Sequence, residues 1–176
     1  VFRGDFIMAI IHLRNEPFHT HGNLPKIGDV VPDFVATKTD LSTVSLSEYA
    51  GKPVLINVYP SIDTNVCFTS VKKFQASAGN EVVKLFISMD LPFALKRVSE
   101  GECLSDVVLL SDFRNREFGD LFGLSIADGP LAGLLARAVI VLNSDHKLVY
   151  KELVSDISTP PNYQVALSSL KSLCSC

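Results

Sequence analysis

The run Val54-Leu55-Ile56-Asn57-Val58-Tyr59, stopped by Pro60, constrains this chain more than any other segment. Apolar side chains stand at nearly every place rather than at every second one. That pattern describes a strand covered on both faces, as in the middle of an α/β sheet. The segment behind it carries Val66, Phe68, Val71, Phe74 and Ala78 at mixed spacings of three and four. It reads as a helix over 65–78 with Asp63 or Thr64 as its N-cap.

The same alternation repeats with shorter parts. Residues 82–87 form a second buried strand, 93–98 a helix after Pro92, 107–110 a third strand and 114–122 a helix. Residues 136–142 and 147–153 pair as strands around Asn143-Ser144-Asp145-His146, and a last helix covers 162–173. Earlier, 34–38 and 44–46 read as short strands, and 7–13 with 17–21 form a hairpin whose three-residue loop is Arg14-Asn15-Glu16. The hairpin is expected to decorate the core. Together these elements describe an α/β chain of thioredoxin-like type, with a central mixed sheet, helices on both faces and an N-terminal β-hairpin.

Composition bounds the function. With 176 residues, 47% hydrophobic, the chain can bury a full core as one domain. That domain is assigned to 8–176: Met8 reads as a natural start, and 1–7 as a non-native or upstream extension. The longest apolar stretch, 131–142, is broken by Gly133 and Arg137 and falls short of the roughly 18 residues of a membrane span. No secretory h-region precedes it, so a cytoplasmic protein without membrane partners is expected. Sixteen Lys and Arg against nineteen Asp and Glu, without a basic block, argue against nucleic acid. Gly119-x-x-x-Gly123 lacks the third glycine and the lysine of phosphate loops, so no nucleotide cofactor is implied. His12, His19 and His21 on the hairpin read as solvated imidazoles rather than a metal site. Four cysteines, Cys67, Cys103, Cys174 and Cys176, are too few and too unevenly spaced for a disulfide framework. They are therefore read one by one.

Cys67 follows the loop after the buried strand and enters the first turn of a helix. Unpaired backbone N–H groups and the helix dipole there favour a thiolate. Thr64 precedes it by three residues, the C-x-x-C spacing with a hydroxyl in place of the first thiol. Dithiol exchange within that motif is impossible, which leaves one-thiol chemistry with Thr64 giving or relaying a hydrogen bond to the sulfur or to a substrate oxygen. Arg137 is a second oddity, a permanent cation at the start of an otherwise apolar strand. It needs an anionic partner or a route to water, and Cys67 is the natural partner.

These residues resemble the bacterial thiol peroxidases, the atypical two-cysteine branch of the peroxiredoxins. The resemblance rests on Pro60-x-x-x-Thr64-x-x-Cys67, Ser88-Met89-Asp90-Leu91-Pro92-Phe93-Ala94, Phe113-Arg114-Asn115, and 126–131 leading into Ala136-Arg137-Ala138. It implies a peroxidase acting on hydrogen peroxide and alkyl hydroperoxides. Cys67 would be the peroxidatic cysteine, with Thr64 and Arg137 positioning peroxide and thiolate and Pro60 shielding the sulfur. Thioredoxin as reductant and a homodimer follow from the same resemblance.

One place departs from the family. Where its pattern has an aromatic residue and then the resolving cysteine, this chain has Val98 and Ser99. Cys103 lies four residues later and is the candidate resolving thiol. It would stand one turn from Ser99 if the helix continued through Gly101, or on a loop if it did not. Cys174 and Cys176 on the C-terminal tail form a second candidate pair. A one-cysteine peroxidase and a redox sensor are the remaining alternatives.

Magnitudes place the burden of catalysis outside ionisation. Moving a thiol from 8.5 to about 6 raises its thiolate fraction at pH 7 about 30-fold. A Brønsted slope near 0.45 takes back about 13-fold of that in nucleophilicity. The larger effect must come from Arg137, Thr64 and helix N–H groups stabilising charge on the two oxygens as their bond stretches.

Overall fold

The computed structural model describes residues 8–174; the proposed extension at 1–7, including Ile7 of the hairpin, and Cys176 lie outside them. A hairpin of β1 (Ile10–Leu13) and β2 (Glu16–His19) opens the fold. The main sheet contains β3 (Val35–Lys38), β4 (Thr43–Ser45), β5 (Val54–Val58), β6 (Val83–Ser88), β7 (Val108–Ser111), β8 (Ala138–Leu142) and β9 (Leu148–Leu153). Their spatial order is β4-β3-β7-β6-β5-β8-β9. β5 runs parallel to β6 and antiparallel to β8, so the sheet is mixed and the apolar run at 54–58 is its buried centre.

Period-two alternation sends the side chains of β5 and β8 to two separate cores. Val54, Ile56, Val58, Ala138, Ile140 and Leu142 join one core, and Leu55, Val139 and Val141 the other. On the second face lie α1 (Asn65–Ser77), α2 (Pro92–Gly101) and α4 (Tyr163–Cys174), which bring Cys67, Val71, Phe74, Leu95, Ala166 and Leu170. The first face is closed by α3 (Glu117–Leu121), a 3-10 turn at Leu46–Tyr49 and the hairpin. Phe34, Phe118 and Phe122 cluster there, with Phe34 edge-on to both other rings at 4.9 and 5.8 Å. Each such buried ring is worth about 1.5–3 kcal/mol.

Several local expectations are corrected. The hairpin loop has two residues, Arg14 and Asn15, both with positive φ (51° and 75°), the primed turn that matches strand twist. Nor does the hairpin merely decorate, because Ile11 and Phe18 are buried in the main core. The helix expected from 114 starts only at Glu117, since Arg116 adopts φ 57° and Asp112 takes the N–H groups of Phe118 and Gly119. The strand expected from 136 starts at Ala138, leaving Arg137 on the residue before it. Finally, α2 continues past Val98 to Gly101 and stops there. Cys103 follows on a turn with φ 54°, not on the helix.

Candidate active site

Thr64 caps α1: its backbone is extended, and its Oγ1 accepts the N–H of Cys67 at 3.3 Å. That bond supplies one donor of the first turn, whose N–H groups have no intrahelical acceptor. Its hydroxyl proton points to the Ser61 carbonyl at 3.4 Å, so Thr64 acts here on the backbone and not on the sulfur. Cys67 lies at the third position of α1 with its side toward the sheet and is 0% exposed.

Arg137 meets it from the sheet. Being odd-numbered, like Val139 and Val141, it faces α1. Its Nε and Nη2 both donate to the Ile157 carbonyl, at 3.0 and 2.9 Å. Nη2 also donates to Cys67 Sγ at 3.4 Å. Nη1 is buried and has no partner among the described residues, which is costly for a guanidinium unless a substrate atom takes that place. Pro60 is buried two residues after β5, at the start of the loop that carries Thr64.

Asp90 is a participant whose role the sequence did not reveal. Its carboxylate accepts from Ser61 Oγ at 2.8 Å, Ile62 N at 2.7 Å and Ser88 Oγ at 2.7 Å, tying the Cys67 loop to the end of β6. Because β5 and β6 are parallel neighbours, the loops leaving their C-terminal ends lie side by side. The motif Ser88-Met89-Asp90 was visible in the chain, but its partner becomes known only once the strands pair. Ile157 was missed for a similar reason, since it contributes only a carbonyl. Burial, and then the negative charges of Asp90 and Cys67, push the Tyr59 phenol well above its ordinary range. Tyr163 is raised mainly by burial. Both phenols beside the thiol therefore remain neutral.

A cleft of about 420 Å³ separates the start of α1 from the end of α2, with Thr64 and Phe68 on one wall and Val98, Gly101 and Glu102 on the other. Arg97 Nη2 bridges it to Asp63 Oδ1 at 3.1 Å. Cys103 is exposed just beyond this cleft. Cys174 is also exposed but lies with Ser77, Ala78 and Glu81 beyond the opposite end of α1. Cys67, Cys103 and Cys174 are all free thiols. The hairpin histidines do not converge: His12 stands opposite Pro17, and His19 Nδ1 bonds Asp128 Oδ2 at 2.8 Å.

The family model described as Redoxin matches residues 26–167. This chain belongs to the redoxin family. It is 45% identical to the thiol peroxidase of Mycobacterium bovis over 164 residues, covering 93% of this chain and 99% of that protein. A peroxiredoxin-like protein from Aquifex aeolicus superposes with a TM-score of 0.88 at 37% identity, over 94% of this chain and 98% of the other. A thiol peroxidase from Chromobacterium violaceum gives 0.84 at 22% identity, over 96% of this chain and 97% of that one, and speaks to the fold alone. This redoxin has the thioredoxin-like fold with a mixed sheet that its sequence pattern implies, and it is a thiol-dependent peroxidase.

Proposed function

We propose that Cys67 is the peroxidatic cysteine of this redoxin and that Arg137 and Thr64 hold the peroxide against it. The 3.4 Å contact of Arg137 Nη2 with the buried Cys67 sulfur carries the assignment. A thiolate attacks the terminal peroxide oxygen, the O–O bond breaks, and a proton completes the leaving water or alcohol. Cys67 is left as a sulfenic acid. The buried Nη1 of Arg137 and the hydroxyl of Thr64, which gives up its long bond to Ser61, face the charge that develops on the oxygens. Pro60 keeps water from the sulfur. Hydrogen peroxide and alkyl hydroperoxides are the substrates.

Cys103 is the resolving thiol. It follows Glu102, which lines the cleft beside Thr64, whereas Cys174 lies past the far end of α1. The resulting disulfide is reduced by thioredoxin in the reducing bacterial cytoplasm. A homodimer forms through the apolar face of Leu41, Leu91, Phe93 and Phe113, all exposed and lining one groove of about 520 Å³. The domain is taken as running from 8 to 176.

The test is peptide mapping and intact mass of fully reduced protein after one equivalent of hydrogen peroxide, with remaining thiols alkylated. A disulfide joining Cys67 to Cys103 is expected. Cys103→Ser should leave the peroxide step at the wild-type rate and stop the cycle at the sulfenic acid. Sulfenic acid on Cys67 of the wild type, with the other thiols free, would replace this cycle by a one-cysteine one. Unreacted Cys67 would overturn the assignment.

A further inference from the structure

The turn after α2 is held by two side chains of α1. Lys72 Nζ donates to the Glu102 carbonyl at 3.1 Å and pairs with Glu102 Oε2 at 3.1 Å. One turn on, Gln75 Nε2 donates to the Cys103 carbonyl at 3.2 Å. Cys103 itself is exposed, with φ 54°, a conformation that side chains other than glycine disfavour. A disulfide requires Cα atoms about 4.4–6.8 Å apart. Gln75, however, stands about 12 Å along α1 from Cys67, by helix rise. The Cys67 sulfur is wholly buried, and the Thr64 cleft lies between its turn and the end of α2. The Cys103 turn must therefore leave α1 before the two sulfurs can meet.

We infer that Lys72 and Gln75 form a clamp on the Cys103 turn and so set the rate at which the Cys67 sulfenic acid is resolved. This inference rests on the assignment of Cys103 as the resolving thiol. Two reactions compete for the sulfenic acid. In resolution, the Cys103 thiol attacks Cys67 sulfur, the S–S bond forms, the S–O bond breaks, and hydroxide leaves with the thiol proton as water. In overoxidation, a second peroxide gives one oxygen to Cys67, its O–O bond breaks to release water or alcohol, and the sulfur is oxidised to a sulfinic acid. A tighter clamp keeps the turn closed for longer and favours the sulfinic product. Lys72 and Gln75 are positioning residues; neither touches the reacting atoms.

Single-turnover partitioning tests the clamp. Reduced protein without reductant is mixed with increasing hydrogen peroxide, quenched in acid, alkylated and weighed. The readout is the peroxide concentration at which half of Cys67 is sulfinic acid. The double variant Lys72→Ala, Gln75→Ala should raise that concentration about five- to tenfold, because exposed hydrogen bonds and ion pairs are each worth a few-fold in an opening equilibrium. Lys72→Arg should keep the wild-type half-point. The rate of the first peroxide step should not change, since it needs only the folded Cys67 site. An unchanged or lowered half-point, with the Cys67–Cys103 disulfide still formed by the wild type, overturns the clamp alone. A raised half-point with a slowed first step assigns the effect to loosening of the whole site and also overturns it. Absence of that disulfide from the wild type overturns the Cys103 assignment and the clamp with it.

Discussion

The segments that carry Cys67 and Cys103 are built from opposite materials. Around Cys67, Ile62, Val71 and Phe74 are all buried, and each contributes about 1.5–3 kcal/mol. Asp90, just past β6, then fastens the loop, and Arg137, just before β8, meets the sulfur. Around Cys103 only Leu104 is buried; backbone bonds from Glu102 to Val98 and from Leu104 to Ser99 close the end of α2, and what joins the turn to α1 is a set of exposed ties of the kind worth about 1 kcal/mol or less. Apolar burial makes a segment rigid, whereas a few solvent-facing hydrogen bonds make one that opens at low cost. The proposed cycle needs both, a fixed site where oxygen is transferred and a movable partner that comes to it.

The largest break in this contrast should come from Arg137→Leu, which removes the donor to the Cys67 sulfur and the buried Nη1. Peroxide reactivity should fall about 10²–10³-fold, measured as the second-order rate of Cys67 oxidation. Thr64→Val should cost about tenfold through the lost hydroxyl and cap, and Thr64→Ser should recover most of it. If the rates returned to wild type in alkaline buffer, ionisation rather than transition-state electrostatics would be the missing ingredient.

Asp90→Ala is the next test, because it converts the fixed segment toward the looser kind. It leaves the Ile62 N–H without its acceptor, at a cost of about 1–3 kcal/mol. The peroxide step should slow roughly tenfold through misplacement of the sulfur, while disulfide closure should not.

The smallest effect on either thiol is expected at Asp112, across the sheet from both. Burial, with help from Asp120 and Glu117, pushes its carboxyl from 3.8 to about 6, against the N–H bonds from Gly119 and Phe118. Between those values the native state binds more protons than the unfolded one. The contribution of Asp112 to stability is therefore greatest at acidic pH and falls as pH rises through about 4 to 6, by on the order of 3 kcal/mol. In denaturant titrations the stability of wild type relative to Asp112→Asn should decline across that window. Both thiol steps should keep their rates near pH 7. A changed partition between disulfide and sulfinic acid in this variant would mean that the two faces are coupled.

The sequence alone placed the central strand, the helix behind it and the thiol at its first turn, because continuous apolar character and helical spacing are local signals. Asp63 or Thr64 could be named as the cap from position, between which the structure selects Thr64, and Arg137 as an anomaly from its charge in an apolar stretch. What Thr64 bonds is local but was misassigned by the pattern: its hydroxyl proton goes to the Ser61 carbonyl, three residues before it, and not to sulfur. The late start of α3 also escaped the pattern, since it depends on Asp112 seven residues before Gly119.

Apart from the Arg137–Cys67 pair, which the sequence suggested, tertiary structure decided which groups meet. The parallel pairing of β5 and β6 set Asp90 against the Cys67 loop. The odd register of Arg137 in front of β8 aimed it at α1, and a carbonyl from residue 157, which no side-chain pattern announces, fixed it there. The same holds for Cys103: its number in the chain gave a distance from Ser99, but its turn also meets Lys72 and Gln75 of another helix, which no local signal announces. Periodicity is written in neighbouring residues and survives in the sequence. Contacts between segments far apart in the chain depend on how strands pair and helices pack, and they exist only once the chain has folded.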